Sequence, residues 1–321
     1  MLIMQLSRRD FLRWSAGIGL ASAVLPGEFS SDVFAANDGK KLKLVPIEIQ
    51  VGATKPFKAV HASDTHFCFA DGRENTRKLK LAENRRRYFS NGERFFDEAL
   101  AWAKQNDEMF LHTGDLIDFV SESNLEAVQA KFKNVNCFVS AGNHEFSQYV
   151  GEAKEDDAYK AQSFDRVQKA FSNNLTFCSR IVNNVNFVAF DDVYYNVTAA
   201  QHERFKAEVA KGYPIVAMCH CPLYTPELFD FMMNRPGAKC AYLIGVPAEE
   251  RMKSYEPNRR EQQKPDAPTI DFLKWLKEQS LLKAILCGHL HLQWSGPFSK
   301  TATQHVVAGN YTGSANEITF V

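Results

Sequence analysis

Residues 109–118 read MFLHTGDLID, and the fold turns on how that decapeptide is placed. The run from Met109 to Thr113 is short and largely apolar, which is the pattern of a buried strand. Gly114 then lets the chain leave the strand sharply, and Asp115 and Asp118 follow. The same grammar recurs along the chain. "HASDTHF" (61–67) closes in Asp64 and His66, and "VSAGNHEF" (139–146) in Gly142, Asn143, His144 and Glu145. "AMCHCPLY" (217–224) carries His220, and "LCGHLHL" (286–292) carries Gly288, His289 and His291. In α/β sheets, ligands collect beyond the carboxyl ends of strands. Five strand ends that bear Asp, Asn or His therefore predict one shared pocket. Successive residues of a strand point to opposite faces, and His289 and His291, with Leu290 between them, would lie on one face of a regular strand. Glycines at 114, 142 and 288 are expected to turn the ligands inwards.

Between these strand ends lie stretches of helical periodicity: 93–105, 123–132, 163–171, 199–210 and 269–279. Residues 44–51, 175–182, 185–192 and 315–321 read as further strands, with a tight turn at Asn183-Asn184. Strands alternating with helices make an α/β layered domain, more hairpin-like towards the C-terminus. No repeat or linker-like break appears, so residues 36–321 read as one domain. Two stretches depart from the pattern. Residues 231–267 are rich in proline and charge with little period, and read as a lid or insertion loop. Residues 71–91 read as a second lid-like excursion. Its Arg85, Arg86 and Arg87 are expected on a solvated helix face, with phosphate binding as the alternative.

The bulk composition excludes some classes. Lys plus Arg equals Asp plus Glu at 38 each, so the chain has no net charge with which to capture nucleic acid or anionic membrane broadly. No basic or aromatic track suggests a strand-binding groove. Seven cysteines without a Cys-x-x-Cys read as buried free thiols; Cys219 and Cys221 flank His220, and a thiolate metal site is the alternative there. The N-terminus differs. Ser7-Arg8-Arg9-Asp10-Phe11-Leu12 precedes an apolar run from Trp14 to Leu25, too short for the ~20 residues that span a bilayer. Residues 1–35 read as a cleavable twin-arginine export signal cut near Ala35, which would make the mature protein periplasmic and the twin-arginine machinery a partner. An uncleaved anchor is the alternative. No other run is apolar and long enough to be transmembrane.

Taken in order, Asp-x-His, Gly-Asp-x-x-Asp, Gly-Asn-His-Glu, His and Gly-His-x-His resemble the calcineurin-like metallophosphoesterase family, over Asp64 to His291. The resemblance implies a four-layer αββα sandwich of two mixed β-sheets flanked by helices. It implies two divalent metal ions, Mn, Fe or Zn, ~3.5–4 Å apart, which clamp a phosphoryl group and hold an attacking hydroxide for in-line displacement. One ion takes Asp64, His66 and His291, the other Asn143, His220 and His289, and Asp115 bridges them. His144 is the catalytic residue over the phosphate, Glu145 orients it, and Asp118 supports a ligand from behind. The implied activity is hydrolysis of small-molecule phosphate mono- or diesters. The competing class is a non-catalytic, metal-retaining binding or scaffold protein on the same fold. His61 and His112 are expected to be packed and hydrogen-bonded, and His202 to lie on an exposed helix. His305 is a candidate to approach the site.

Overall fold

The structure is a computed structural model that describes residues 41–106, 108–152 and 156–321. The export-signal reading falls on residues 1–35 and lies outside them. The first half contains β1 (Lys43–Ile49), β2 (Phe57–Ala62), α1 (Thr76–Arg86), α2 (Gly92–Gln105), β3 (Met109–Thr113), α3 (Glu122–Phe132) and β4 (Cys137–Ser140). Then come α4 (Asp157–Ala161), α5 (Phe164–Gln168), β5 (Phe177–Val182), β6 (Val185–Phe190), α6 (Ala199–Val209), β7 (Ile215–Met218) and α7 (Pro226–Met233). The last stretch holds α8 (Ala248–Ser254), α9 (Pro257–Gln262), α10 (Ala267–Lys277), β8 (Leu282–Cys287), β9 (Trp294–Pro297), β10 (Thr303–Val306) and β11 (Ser314–Phe320).

The strands form two mixed sheets, one ordered β1-β11-β2-β3-β4 and the other β5-β6-β7-β8-β10-β9. Within the first, β2, β3 and β4 run parallel; within the second, so do β6, β7, β8 and β10. Alternation along each strand decides the layers. In β3, Met109 and Leu111 join a cluster with Val216 and Met218 of β7 and with Ala284 and Leu286 of β8, so one face of each sheet packs against the other. Phe110 turns the opposite way, to Phe96 of α2 and Phe132 of α3. Phe190 of β6 likewise turns outward to Phe205 of α6 and Phe272 of α10. The result is helix, sheet, sheet, helix. Each of these fully buried aromatics contributes on the order of 2–3 kcal/mol of transfer free energy.

Local chemistry sets where the helices begin. Asn75, Ser121 and Thr225 accept from backbone N–H groups at the starts of α1, α3 and α7. Thr198 and Gln201 close a reciprocal capping box at α6.

The two irregular stretches differ from expectation. Residues 231–267 hold the end of α7 followed by α8 and α9, which have only 7 and 6 residues. Pieces so short show no usable period. Pro257, moreover, starts α9 rather than breaking it, because a proline in the first turn forfeits no intrahelical bond. In residues 71–91, Arg86 and Arg87 lie on the exposed face expected of them, and Arg85 does not. Arg85 is buried on Asp118, Arg86 donates to the Cys68 carbonyl, and Arg87 pairs with Glu83. All seven cysteines are free, and all but Cys178 are buried. Among the described residues no helix is long and apolar enough to cross a membrane.

Candidate metal centre

Five parallel strands, β2, β3 and β4 of the first sheet and β7 and β8 of the second, deliver their polar clusters to the same edge. β2 ends at Ala62 before Asp64 and His66, β3 at Thr113 before Asp115 and Asp118, and β4 at Ser140 before Asn143 and His144. β7 ends at Met218 before His220, and β8 at Cys287 before His289 and His291. Asp64, His66, Asp115 and His291 present donor atoms within 4.8 Å of one another, and so do Asp115, His220 and His289. Asp115 belongs to both groups.

The turn that brings them together is not the one expected from the glycines. Asp64, His66, Asp115, His289 and His291 themselves adopt left-handed backbone, with φ between 53° and 66°. Such conformations cost on the order of 1 kcal/mol each and persist only where the surroundings impose them. His289 and His291 lie beyond the last residue of β8, Cys287, where the left-handed backbone at each, not strand parity, sets the direction of its imidazole. Of the three glycines only Gly114 has a positive φ, at 89°. Gly142 and Gly288 serve close approach instead: a Cβ at Gly142 would lie 2.3 Å from Asp115 Oδ1, and one at Gly288 would lie 1.9 Å from Ser63 Oγ.

The hydrogen bonds behind each imidazole aim its other nitrogen inward. His220 Nδ1 donates to the Thr113 carbonyl at 2.7 Å, so its Nε2 carries a lone pair into the centre. That lone pair sits 3.2 Å from Asp115 Oδ2 and 3.2 Å from His289 Nδ1. His289 is held at Nε2 by Tyr195 Oη (2.9 Å), and His291 at Nδ1 by Tyr311 Oη (3.1 Å). His66 Nδ1 meets Asp118 Oδ1 at 3.0 Å, which leaves its Nε2 3.3 Å from His291 Nε2. His291 Nε2 in turn lies 3.1 Å from Asp64 Oδ1.

Lone pairs and carboxylate oxygens facing one another this closely call for positive charge between them. The polar atoms left over agree. Asp64 Oδ1 and Asn143 Oδ1 are buried without a hydrogen-bond partner, a costly arrangement unless a cation coordinates them. Imidazole, carboxylate and amide oxygen together make a donor set suited to Mn, Fe or Zn. The residues fit a pair of divalent cations.

Electrostatics follows the same geometry. Burial would raise the Asp115 carboxyl, but the imidazoles of His220 and His144 hold it well below the usual carboxylate range. Burial would likewise raise Asp118, and Arg85 overrides it. His144 is opposed by burial and pushed up to about 10 by Asp115 and Asp118, so it favours the protonated form.

Several side chains take places other than those expected of them. Glu145 does not reach the His144 ring. Its carboxylate accepts from the backbone amides of Gly142 (2.6 Å), Asp115 (2.8 Å) and Leu116 (2.7 Å), clamping the β3 and β4 turns to each other. One extra methylene relative to aspartate gives it that reach. Asp118 stands in the place expected of Glu145: its carbonyl accepts from His144 Nδ1 at 2.8 Å and its Oδ1 lies 3.3 Å away. Asp192 accepts from the amides of His220 and Cys221, fixing that turn from below. Cys219 and Cys221 are pushed well above the usual thiol range by burial, which leaves them as packing. His61 and His112 are buried and hydrogen-bonded as expected, to Thr113 and Thr65, while His305 bonds to Ser295 and stays out of the cluster. His202 is half-buried against Trp275. The supporting roles of Arg85, Asp192 and Tyr195, and of Glu145 as a backbone clamp, escaped the sequence reading.

Residues 57–293 match the family model for calcineurin-like phosphoesterase. No curated protein matches the chain in sequence. Solved structures of similar fold include a dimetal phosphatase from Danio rerio, at 14% identity over 80% of this chain and 88% of that one, TM-score 0.46. Phosphopantetheinyl hydrolase from Mycobacterium tuberculosis aligns at 12% identity over 79% and 90%, TM-score 0.40. A 5'-nucleotidase from Candida albicans SC5314 aligns at 13% identity over 85% of this chain and 47% of its own, TM-score 0.40. The span matched by the family model runs through all five strand ends that build the cluster, and the chain belongs to the calcineurin-like phosphoesterase family, as a hydrolase of phosphoric esters.

Proposed function

We propose that the protein is an exported, binuclear metal-dependent phosphoesterase acting on small phosphate mono- or diesters. The observation that carries this reading is the sharing of Asp115. One buried carboxylate lies 3.2 Å from His220 Nε2 on one side and 3.8 Å from His66 Nε2 on the other, so a single residue serves two donor groups. Two cations held by these groups would need an anion between them. In this assignment Asp64, His66 and His291 would hold one ion, Asn143, His220 and His289 would hold the second, and Asp115 would be shared by both. Bound there, the ions supply charge to neutralise a phosphoryl group and to activate a water.

The remaining steps belong to the chain's own groups. His144 has Nδ1 committed to the Asp118 carbonyl, and its Nε2 lies 3.9 Å from Asp115 Oδ2. Protonated there, it donates to a phosphoryl or leaving oxygen as charge develops. Burial of all these groups keeps the local dielectric low, which strengthens that donation. The export half of the proposal rests on the Ser7 to Leu12 pattern and the apolar run behind it.

The test is metal content and hydrolysis of aryl phosphomonoesters and diesters by the purified protein across Mn, Fe and Zn. Asp115→Asn should abolish two-ion binding and activity together; full activity without bound metal overturns the reading. Cell fractionation and sequencing of the mature N-terminus test the address, and a cytoplasmic chain beginning at Met1 rejects it.

A further inference from the structure

The excursion over residues 71–91 packs directly onto the centre. Arg85, in the last turn of α1, is buried and grips Asp118 with two prongs: Nε to Oδ2 at 2.6 Å and a terminal nitrogen to Oδ1 at 2.8 Å. This is the bidentate guanidinium–carboxylate geometry, which fixes the plane of the carboxylate as well as its charge. Asp118 is itself fully buried, and among the described residues Arg85 is the one Lys or Arg within 4 Å of it. The carboxylate so fixed meets two imidazoles. Its Oδ1 lies 3.0 Å from His66 Nδ1 and 3.3 Å from His144 Nδ1. Without the second prong the carboxylate is free to rotate about its Cβ–Cγ bond, which removes the partner of His66 Nδ1 and one of the two acceptors that face His144 Nδ1, the Asp118 carbonyl at 2.8 Å being the other. The same excursion braces His66 from its face as well. Phe89 stacks on that ring at 4.2 Å between centroids and 13° between planes, with the Arg85 guanidinium 5.0 Å above the Phe89 ring.

We infer that Arg85 is a positioning residue, acting through Asp118 to set the direction of the inward nitrogens of both His66 and His144. The inference rests on the proposed function, in which His66 binds an ion and His144 faces the leaving oxygen. It adds that a residue of α1, outside all five strand-end motifs, governs both. Two consequences follow that a merely structural ion pair would not produce. The ion held by His66 should loosen selectively, since a partner behind a ligating imidazole is worth about 10–100-fold in metal affinity. Catalysis should also become more sensitive to the leaving group, because a misaimed His144 matters most where the departing oxygen needs a proton.

The experiment compares wild type, Arg85→Gln and Arg85→Lys, each loaded with Zn. Stepwise chelator competition is read against each ion, and turnover is measured on phenyl phosphate and 4-nitrophenyl phosphate. In Arg85→Gln one of the two ions should leave at about 10–100-fold lower chelator concentration while the other is unmoved. The phenyl-to-nitrophenyl ratio of kcat should fall by about tenfold, with KM little changed. Arg85→Lys keeps the charge but only one prong, so it should hold the fold and lie between the other two; it carries the test if the glutamine variant does not fold. Added methylguanidinium should restore part of the ratio in Arg85→Gln. Equal loss of both ions, or an unchanged ratio in a folded variant, overturns the inference. If wild type binds two ions but hydrolyses neither ester, the proposed function fails, while the chelator titration still judges Arg85.

Discussion

Replacing Gly142 by alanine tests whether Asp115 must stand where it does. A Cβ at that position would lie 2.3 Å from Asp115 Oδ1, 2.5 Å from Asp115 N and 3.0 Å from Asp115 Cγ, whereas ordinary contact begins at 3.4 Å. The carboxylate oxygen would have to retreat by about 1 Å. The backbone nitrogen has nowhere to go. It donates to Glu145 Oε2 at 2.8 Å, and the neighbouring Gly114 carbonyl is tied to the Asp64 amide at 3.0 Å. Overpacking of this kind costs about 1–3 kcal/mol of stability. Displacing a ligand by about 1 Å costs on the order of 100-fold in rate. Gly142→Ala should therefore fold with a lowered midpoint, bind fewer than two ions per chain, and lose about 100-fold in kcat/KM. Gly212→Ala is the control: φ there is 80° with no atom within 4 Å, so alanine should cost about 1 kcal/mol of stability and no activity. Elemental analysis, denaturant unfolding and kcat/KM on an aryl phosphate read the three quantities. A Gly142→Ala enzyme with two ions and kcat/KM within about threefold of wild type would refute the reasoning.

Two further outcomes are expected. Burial, with help from His112 and His305, lowers His61 to about 3; burial also lowers His112 to about 3 and His305 to about 4. All three are neutral in the folded chain, and the unfolded chain takes up their protons below about 6.5. Stability should therefore fall as pH drops from about 6.5 to 4, by about 1.4 kcal/mol per pH unit for each ring. Urea unfolding of His305→Gln should show a shallower pH slope than its parent by that amount, and identical slopes would sink the assignment. Glu145→Gln replaces one of two accepting oxygens with a donor that faces backbone N–H groups. It should cost about 2 kcal/mol or more in stability. An orienting role for His144 alone would instead lower kcat and leave the unfolding midpoint unchanged.

What the sequence made legible was local. Each strand end is a short apolar run closed by a glycine or a small polar residue and then by a ligand-type side chain, and all of that lies within eight residues of one another. The layered α/β arrangement follows from the alternation of periods, and the buried face of each strand from side-chain parity, as Met109 and Phe110 show by packing on opposite sides. Contacts that cross the chain were not legible. Arg85 and Asp118 are 33 residues apart, and Tyr195 reaches His289 across 94. Nothing in either local sequence announces the partner. Arg85 beside Arg86 and Arg87 looks like a solvated charge run, because burying a guanidinium is unfavourable until a carboxylate is known to be waiting. The misreading of Glu145 has a similar cause. Adjacency to His144 suggested a side-chain pair, yet the backbone amides of three turn residues compete for the same oxygens and hold them at 2.6–2.8 Å.

The backbone of the centre shows why chemistry was the better guide there than conformational propensity. Left-handed φ favours glycine, then asparagine, and penalises branched or bulky side chains. At Asp64, His66, Asp115, His289 and His291 the chain accepts that penalty five times within one pocket. A reading by turn propensity would assign the bends to Gly142 and Gly288, whose φ values are not positive, and would miss the residues that bend. The penalty is tolerated because four of the five are tied down by their backbone amides: Asp64 N to the Gly114 carbonyl, His66 N to the Asp115 carbonyl, Asp115 N to Glu145 Oε2, and His289 N to Asp64 Oδ2. These ties link one strand end to the next, so the strain at each position is resisted by its neighbours rather than by its own strand. Loosening any one turn should therefore disturb donors on both sides of Asp115, and a set of five separate motifs behaves as a single unit.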